Sequence, residues 1–367
     1  MAKPRLRVAL IGHGFMGRVH SNAYRQAPHF FDLPYEIDCR VICGRNRETL
    51  AQTAATWGWE ETATDWETVA ARPDIDLVDV ATPNVLHAPV AIAAAAAGKM
   101  VLCEKPLAIS LAEAVRMRDA VAGVPNMVWF NYRRVPAVAF AQRLIAEGRL
   151  GKIYQYRATY LQEWGPDRSR VGNWKTQKAQ AGNGVLGDLG SHLVDLAMWI
   201  NGPINAVSAL LHTYSGDRDV DDTALFLARF ANGSVGTFEA SRYATGCRNR
   251  NAFEIHGERG MLRFDLENLN HLDFLDTNDA SEVRGPRHLL VTGYEHPYAG
   301  HFWKPGHVIG YEHTFIAALS DFLTAAARGE TAHPDFTDAL HTQVVLDAVE
   351  RSAAEHAWRE ITPTEMA

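Results

Sequence analysis

The stretch GVLGDLGSHLVDLAMW (184–199) sets two acids and a histidine, Asp188, His192 and Asp195, three to four residues apart among leucines. An imidazole titrates near neutral pH and can accept the proton of an alcohol. Such general-base help is typically worth about 10²–10⁴ in rate. A carboxylate one turn away can orient the ring or bond a neighbouring hydroxyl. Lys105, in CEKP (103–106), adds a cation that can stabilise a developing alkoxide. Together these types fit removal of a proton and a hydride from a secondary alcohol. Asp195 is read as structural, because an H-x-x-D pair without a third ligand at fitting spacing does not make a metal site. No metal is expected.

The elements that must position these groups follow from periodicity. Leu186, Leu189, Leu193, Leu196 and Ile200 recur at helical spacing and form one buried stripe. Asp188, His192 and Asp195 form a second stripe one residue, or roughly 100°, around the helix. That places the polar groups at the edge of a cleft.

In the first third, short apolar runs (RVALIG, DCRVICG, DLVDVATP, MVLCEKP) alternate with helical stretches. Such alternation predicts a parallel sheet with right-handed crossovers. HAPVAIAAAAAG is closed by a glycine, and Ser110 with Glu113 makes a capping box for the next helix. RVALIGHGFMGRVH carries Gly12, Gly14 and Gly17 in G-x-G-x-x-G spacing between a strand and a helix, the context of a dinucleotide fingerprint. Phe15 and Met16, between these glycines, belong to the same coenzyme-contacting turn. The second strand, VICGRNRE, ends in Gly44, Arg45 and Asn46 where an acid would hold the adenosine ribose. Arg45 can pair with a 2′-phosphate, or stack on adenine while Asn46 bonds an unphosphorylated ribose. NAD and NADP both stay open. Lys105 sits at the carboxyl edge of the parallel sheet, where ligands bind in such folds.

After about residue 150 the pattern alternates with period two. ANGS and HGERG mark hairpins, so this region reads as an antiparallel sheet with the Asp188/His192 helix near its start. The end of the chain is helical. Tyr156, Tyr160, Gln162 and Trp164 share one face of YQYRATYLQEW, and Gln162, Trp164 and Tyr132 are the favoured sugar contacts. PDRSRVGNWKTQK gathers Arg168, Arg170, Lys175 and Lys178 before the catalytic helix. The first three would greet an anionic sugar.

The 367 residues suffice for two domains, and 47% hydrophobic with 22% charged residues is ordinary for a soluble protein. A net charge of −7 argues against a nucleic-acid or membrane-surface role. The four scattered cysteines and the absence of a long apolar run fit a cytoplasmic protein.

The glycine turn, ATPNVLH, CEKPLA and GDLGSHLVD together resemble the glucose–fructose oxidoreductase/inositol dehydrogenase/rhizopine-catabolism (Gfo/Idh/MocA) family over essentially the whole chain. NYRRVPAV, YLQEW, FEASRYATG and PGHVIGYEHTF are most similar to its pyranoside dehydrogenases. The resemblance implies an α/β fold with an N-terminal Rossmann domain (1–130), its parallel sheet covered by helices on both faces. It also implies an α+β substrate-binding and oligomerisation domain (131–367) with a large open, mostly antiparallel sheet, whose C-terminal helices can pack back on the first. By the same resemblance Lys105, Asp188 and His192 are the catalytic set. Thr82, Asn84, His87 and Glu104 line the nicotinamide half of the coenzyme site. The implied activity is hydride transfer between NAD(P) and a ring hydroxyl, at C3, of a pyranose, glycoside or cyclitol, in a homo-oligomer (dimer or tetramer). Two alternatives use the same site. One is a redox-neutral, NAD-dependent glycoside hydrolase acting by transient C3 oxidation, elimination and re-reduction. The other is a non-catalytic coenzyme-binding regulator.

Overall fold

A computed structural model describes residues 3–167, 169, 172–362 and 366. The chain divides into two compact units, Met1–Asn131 with Gly310–Leu340, and Tyr132–Ile309 with His341–Ala367.

The first unit is a six-stranded parallel sheet. Its strands and helices alternate as β1 (Arg5–Ile11), α1 (Phe15–Phe30), β2 (Glu36–Cys43), α2 (Arg47–Trp57), β3 (Glu61–Ala63), α3 (Trp66–Ala71), β4 (Leu77–Val80), α4 (His87–Ala96), β5 (Met100–Cys103), α5 (Leu111–Val121) and β6 (Asn126–Val128). The strand order is β3-β2-β1-β4-β5-β6. The central strands are apolar throughout because both faces are covered: Val8, Ala9, Leu10, Leu77, Val78, Val101 and Leu102 have no exposed surface. Local signals act at the helix ends, with one of the two bonds of the expected capping box present. Gly98 adopts φ 72° after α4, and the Ser110 side chain accepts the Glu113 N–H at the start of α5.

The second unit begins with α6 (Pro136–Ala146), β7 (Ile153–Leu161), the short α7 (Lys178–Ala181) and α8 (Ser191–Asn201). The strands β8 (Ile204–His212), β9 (Thr223–Phe230), β10 (Val235–Ser241), β11 (Arg250–Gly257), β12 (Gly260–Asp265), β13 (His271–Asp276) and β14 (Arg287–Leu290) follow. The chain continues through α9 (Tyr311–Arg328), part of the first unit, α10 (Phe336–Glu355) and β15 (Arg359–Glu360). The nine strands are ordered β14-β13-β12-β11-β7-β10-β9-β8-β15, antiparallel except for the parallel pair β7/β10. One face is buried. Tyr156 on β7 stacks there among Phe238, Phe253 and Phe230, so this tyrosine is core. The other face leaves Leu210, Leu225, Leu227 and Val235 exposed. Among the described residues no helix is long and apolar enough to cross a membrane.

The Asp188/His192 stretch departs from the single regular helix that its periodicity suggests. Residues Leu186–Gly190 form a π-helical turn, and only then does α8 begin. Asp221, from outside the stretch, accepts the backbone N–H groups of Gly184 and Leu186, at 2.6 and 2.7 Å, and caps the entry to this turn. π-turns of this kind recur at functional sites.

Candidate active site

In the first unit, the glycine turn is built by contact. Gly12 has φ 112°, and a Cβ there would stand 2.2 Å from the carbonyl oxygen of Ala81. A Cβ on Gly17 would stand 2.2 Å from the carbonyl oxygen of Gly12, so α1 lies directly on the turn. Beside Gly14 the space is open, and no side chain caps the first N–H groups of α1. An open space facing uncapped helix N–H groups fits a pyrophosphate. Phe15 is largely exposed beside it and Met16 is half-buried.

At the tip of β2, Gly44 gives its space to another residue. A Cβ on Gly44 would overlap the His13 ring, whose Nε2 lies 3.0 Å from Thr49 Oγ1. Burial and then the charge of Arg45 push the His13 pKa down. Arg45 itself is exposed. Asn46 Oδ1 accepts the N–H groups of Glu48 and Thr49, so the side-chain oxygen considered for the ribose caps α2 instead.

After β4, Thr82 is half-buried and Asn84 is buried. His87 has no exposed surface. Its Nδ1 lies 2.9 Å from Pro106 O and its Nε2 3.1 Å from Thr82 O. Burial lowers its pKa, and a neutral ring donates its single N–H to one of these two carbonyl oxygens. After β5, Glu104 is 5% exposed, its Oε2 accepting the Lys105 N–H at 3.1 Å. The Lys105 side chain is half-buried.

In the second unit, Asp188 sits on the π-turn and His192 one turn on, 5% exposed. Lys175 Nζ donates to both Asp188 oxygens at 3.0 Å. The His192 ring lies 4.6 Å from the ring of Tyr132 and 5.9 Å from that of Tyr160. A chain of polar groups leads away from it. Tyr160 donates its single hydroxyl proton to Asn249 Oδ1 at 3.0 Å, so in its 2.9 Å contact with Tyr132 it is the acceptor. Gln162 Nε2 donates to the same Asn249 oxygen at 2.7 Å, and Trp164 Nε1 to Gln162 Oε1 at 2.5 Å. Tyr132, Tyr160, Gln162 and Trp164 thus form one wall continuing from His192. Gln162 and Trp164 lie just past the end of β7. Arg168 and Arg170 lie outside the described residues.

Several supporting groups lie outside the motifs read from the sequence. Arg133 grips Asp195 with two bonds, 3.0 and 2.6 Å, both side chains buried. Asp221, at the entry to the π-turn, is half-buried, and loss of solvent around its carboxylate pushes its pKa up against the N–H bonds it accepts. Arg242 has no exposed surface. It lies 4.5 Å from the Trp164 ring and bonds Lys175 O at 3.5 Å, while Nε and one Nη have no hydrogen-bond partner. The doublet Asp221-Asp222 after an apolar residue, and an arginine closing the alternating run of β10, are the marks by which these two are traceable in the sequence. Among the described residues, His333, Asp335 and Asp338 are the one group of potential metal ligands, and Asp335 and Asp338 are occupied in mutual bonds at the start of α10.

A parallel sheet in this order, with a glycine turn of this shape after its first strand, defines an NAD-binding Rossmann unit, and the chain is an NAD-dependent oxidoreductase. It belongs to the Gfo/Idh/MocA family: residues 6–132 match the oxidoreductase family with NAD-binding Rossmann fold, and residues 138–263 match the GFO/IDH/MocA C-terminal domain. Levoglucosan dehydrogenase of Pseudarthrobacter phenanthrenivorans is 41% identical over 97% of this chain and 98% of its own. A levoglucosan dehydrogenase structure in complex with NADH and levoglucosan superposes with a TM-score of 0.95 at 42% identity, covering 98% of this chain and 99% of that one. An oxidoreductase domain protein from Kribbella flavida gives 0.95 at 46% identity, covering 98% and 100%.

Proposed function

We propose that the protein oxidises a secondary ring hydroxyl of a pyranose, with an anhydro sugar of the levoglucosan kind as the first candidate and C3 as the oxidised carbon. The observation that carries this reading is the second unit's polar wall: the His192 ring packs on Tyr132, and Tyr132, Tyr160, Asn249, Gln162 and Trp164 follow in one hydrogen-bonded run. An aromatic face beside amide and hydroxyl groups suits a sugar, which is apolar on its C–H face and polar at its rim. The C3 hydroxyl has hydroxyl neighbours on both sides for Asp188 and Gln162 to hold. The named activity of the relatives supports the substrate class.

In this reading the first unit holds NAD through the glycine turn, with Thr82, Asn84, Glu104 and Lys105 toward the nicotinamide. NAD, when bound, accepts the hydride. His192 Nε2 or Nδ1 takes the hydroxyl proton, and the Lys105 ammonium stabilises the alkoxide as it forms. Asp188, paired with Lys175, orients the sugar or the imidazole. Lys175 was a candidate for an anionic substituent, but its charge is already met by Asp188, so the reading is of a neutral sugar. The exposed apolar face of the nine-stranded sheet supports a homo-oligomer, and the buried free cysteines support a reducing, cytoplasmic setting.

A panel of neutral and anionic pyranosides, with NAD and NADP separately, tests this. NADH formation with a 3-keto product from neutral anhydro sugars is expected. Release of an aglycone without net NADH would replace the reading by the hydrolase. Coenzyme binding with no turnover of any sugar would replace it by the regulator.

A further inference from the structure

His20 lies on α1, three residues past the glycine turn, and has no exposed surface. Its Nδ1 is 3.0 Å from Asp79 Oδ2 on β4, and its Nε2 is 3.0 Å from Glu104 Oε1 just after β5. Both carboxylates are otherwise occupied. Asp79 accepts Tyr24 Oη–H on Oδ2 and Trp129 Nε1–H on Oδ1, each at 2.9 Å. Glu104 turns its second oxygen to the Lys105 N–H. The Trp129 and Phe315 rings face the imidazole at 4.4 and 5.7 Å, from the segment after β6 and from α9.

Charge accounting decides the state of this ring. A neutral imidazole has one N–H, and its other nitrogen would point a lone pair at a carboxylate oxygen. Two anionic acceptors, one on each nitrogen, require two donors. Burial alone would lower the pKa, but Asp79 and Glu104 outweigh it and raise it to about 9. Cys103, also against these carboxylates, has its pKa pushed far up by burial and by Glu104 and Asp79, and stays a neutral thiol. Tyr24 likewise stays a neutral donor to Asp79, its pKa raised by burial and by that carboxylate. The imidazolium is therefore the cation that hydrogen-bonds to both buried acids.

We propose that His20 is a positioning residue: a buried imidazolium that bridges Asp79 and Glu104, fixes the carboxylate holding the Lys105 backbone, and so ties the helix behind the glycine turn to the segment that carries the catalytic lysine. The claim rests on the reading above for the role of Lys105. His20 touches neither the sugar nor the reacting atoms; it acts through Glu104. Neutralising it leaves Glu104 to take up a proton or to turn away, and either change releases the Lys105 backbone from its place.

Two measurements on the full-length protein test this. In 15N-histidine-labelled protein, the His20 ring, identified by the signals lost in His20→Gln, is expected to show two protonated nitrogens at pH 7.5 and to lose one only near pH 9. A neutral tautomer at pH 7.5 overturns the proposal. If His20→Gln does not fold, the ring is assigned instead by the shift caused by Tyr24→Phe. This arm needs no substrate, so a wild-type enzyme that turns over no sugar overturns the functional reading and leaves this one to be judged by the ring. In the folded His20→Gln variant, kcat is expected to fall at least tenfold, while the Kd for NADH, measured by fluorescence, changes less than threefold. A loss of kcat matched by the loss of NADH affinity overturns the positioning role. Adding Glu104→Gln to His20→Gln returns the cluster to its original net charge, with Asp79 as the one remaining carboxylate; thermal stability is expected to recover while kcat stays low. Recovery of both together also overturns it.

Discussion

Lys175 Nζ is 3.0 Å from both carboxylate oxygens of Asp188, so a loop lysine and a π-turn acid form one symmetric ion pair in the second unit. The pair is half-exposed on the lysine side, and its stabilising effect on the fold is correspondingly modest. Its effect on the site is larger. Lys175→Met is expected to lower kcat/KM for the sugar by about tenfold or more, in the range of a lost charge-assisted bond. The Kd for NADH should not move. Steady-state kinetics beside fluorescence titration checks both.

The contact between Gly17 and Gly12 leaves no room for a methyl group. Gly17→Ala must push α1 away from the turn. The Kd for NADH, measured by calorimetry, is expected to rise at least tenfold, with a folded protein by circular dichroism.

At the tip of β2, His13 occupies the space a side chain on residue 44 would need. Gly44→Asp alone is expected to destabilise the protein and weaken binding of both coenzymes. Paired with His13→Ala, the same aspartate has room and should raise the preference for NAD over NADP, since it would meet a 2′-phosphate with like charge. Comparing the two Kd values across the three proteins decides the point.

The His20 imidazolium also makes a stability prediction with a definite sign. Its folded pKa, about 9, lies above the ordinary value of 6.5. Its contribution is therefore fully present below about pH 6.5 and is lost as pH rises through about 9, roughly 3 kcal/mol in all. Urea denaturation between pH 6 and 9.5 should show this decline in the wild type and a flatter profile in His20→Gln.

Arg133 and Asp195 are buried and doubly bonded. Removing one partner strands the other charge, which typically costs about 3–5 kcal/mol. Arg133→Met should therefore unfold at much lower urea concentration, and Arg133→Met with Asp195→Leu should recover part of the loss.

What was legible in the sequence was local. The glycine turn, the capping serine of α5 and the Asp188/His192 spacing each depend on residues within one or two turns, so a pattern suffices. The groups that hold them do not. His20 reaches Glu104 across 84 positions, and Tyr160 reaches Asn249 across 89. No periodicity encodes such pairs; only the folded sheets bring them together. The entry to the π-turn is a case of the same kind, since the acid that caps it, Asp221, lies 35 residues on from Leu186. Asn46 shows the converse: one residue type serves as ribose ligand or helix cap, and only the observed bonds tell which.

The membership of α9 in the first unit bears on how the protein is made. Thr314 bonds Asn131, Phe315 packs on the His20 and Trp129 rings, and Tyr311 stacks near Phe15. Yet 178 residues of the second unit, Tyr132–Ile309, come off the ribosome before this helix does. The nascent coenzyme unit must wait, with its buried imidazolium open on one side, until most of the chain has emerged. A chain stopped at residue 309 would hold every glycine of the coenzyme turn and still lack the wall behind it.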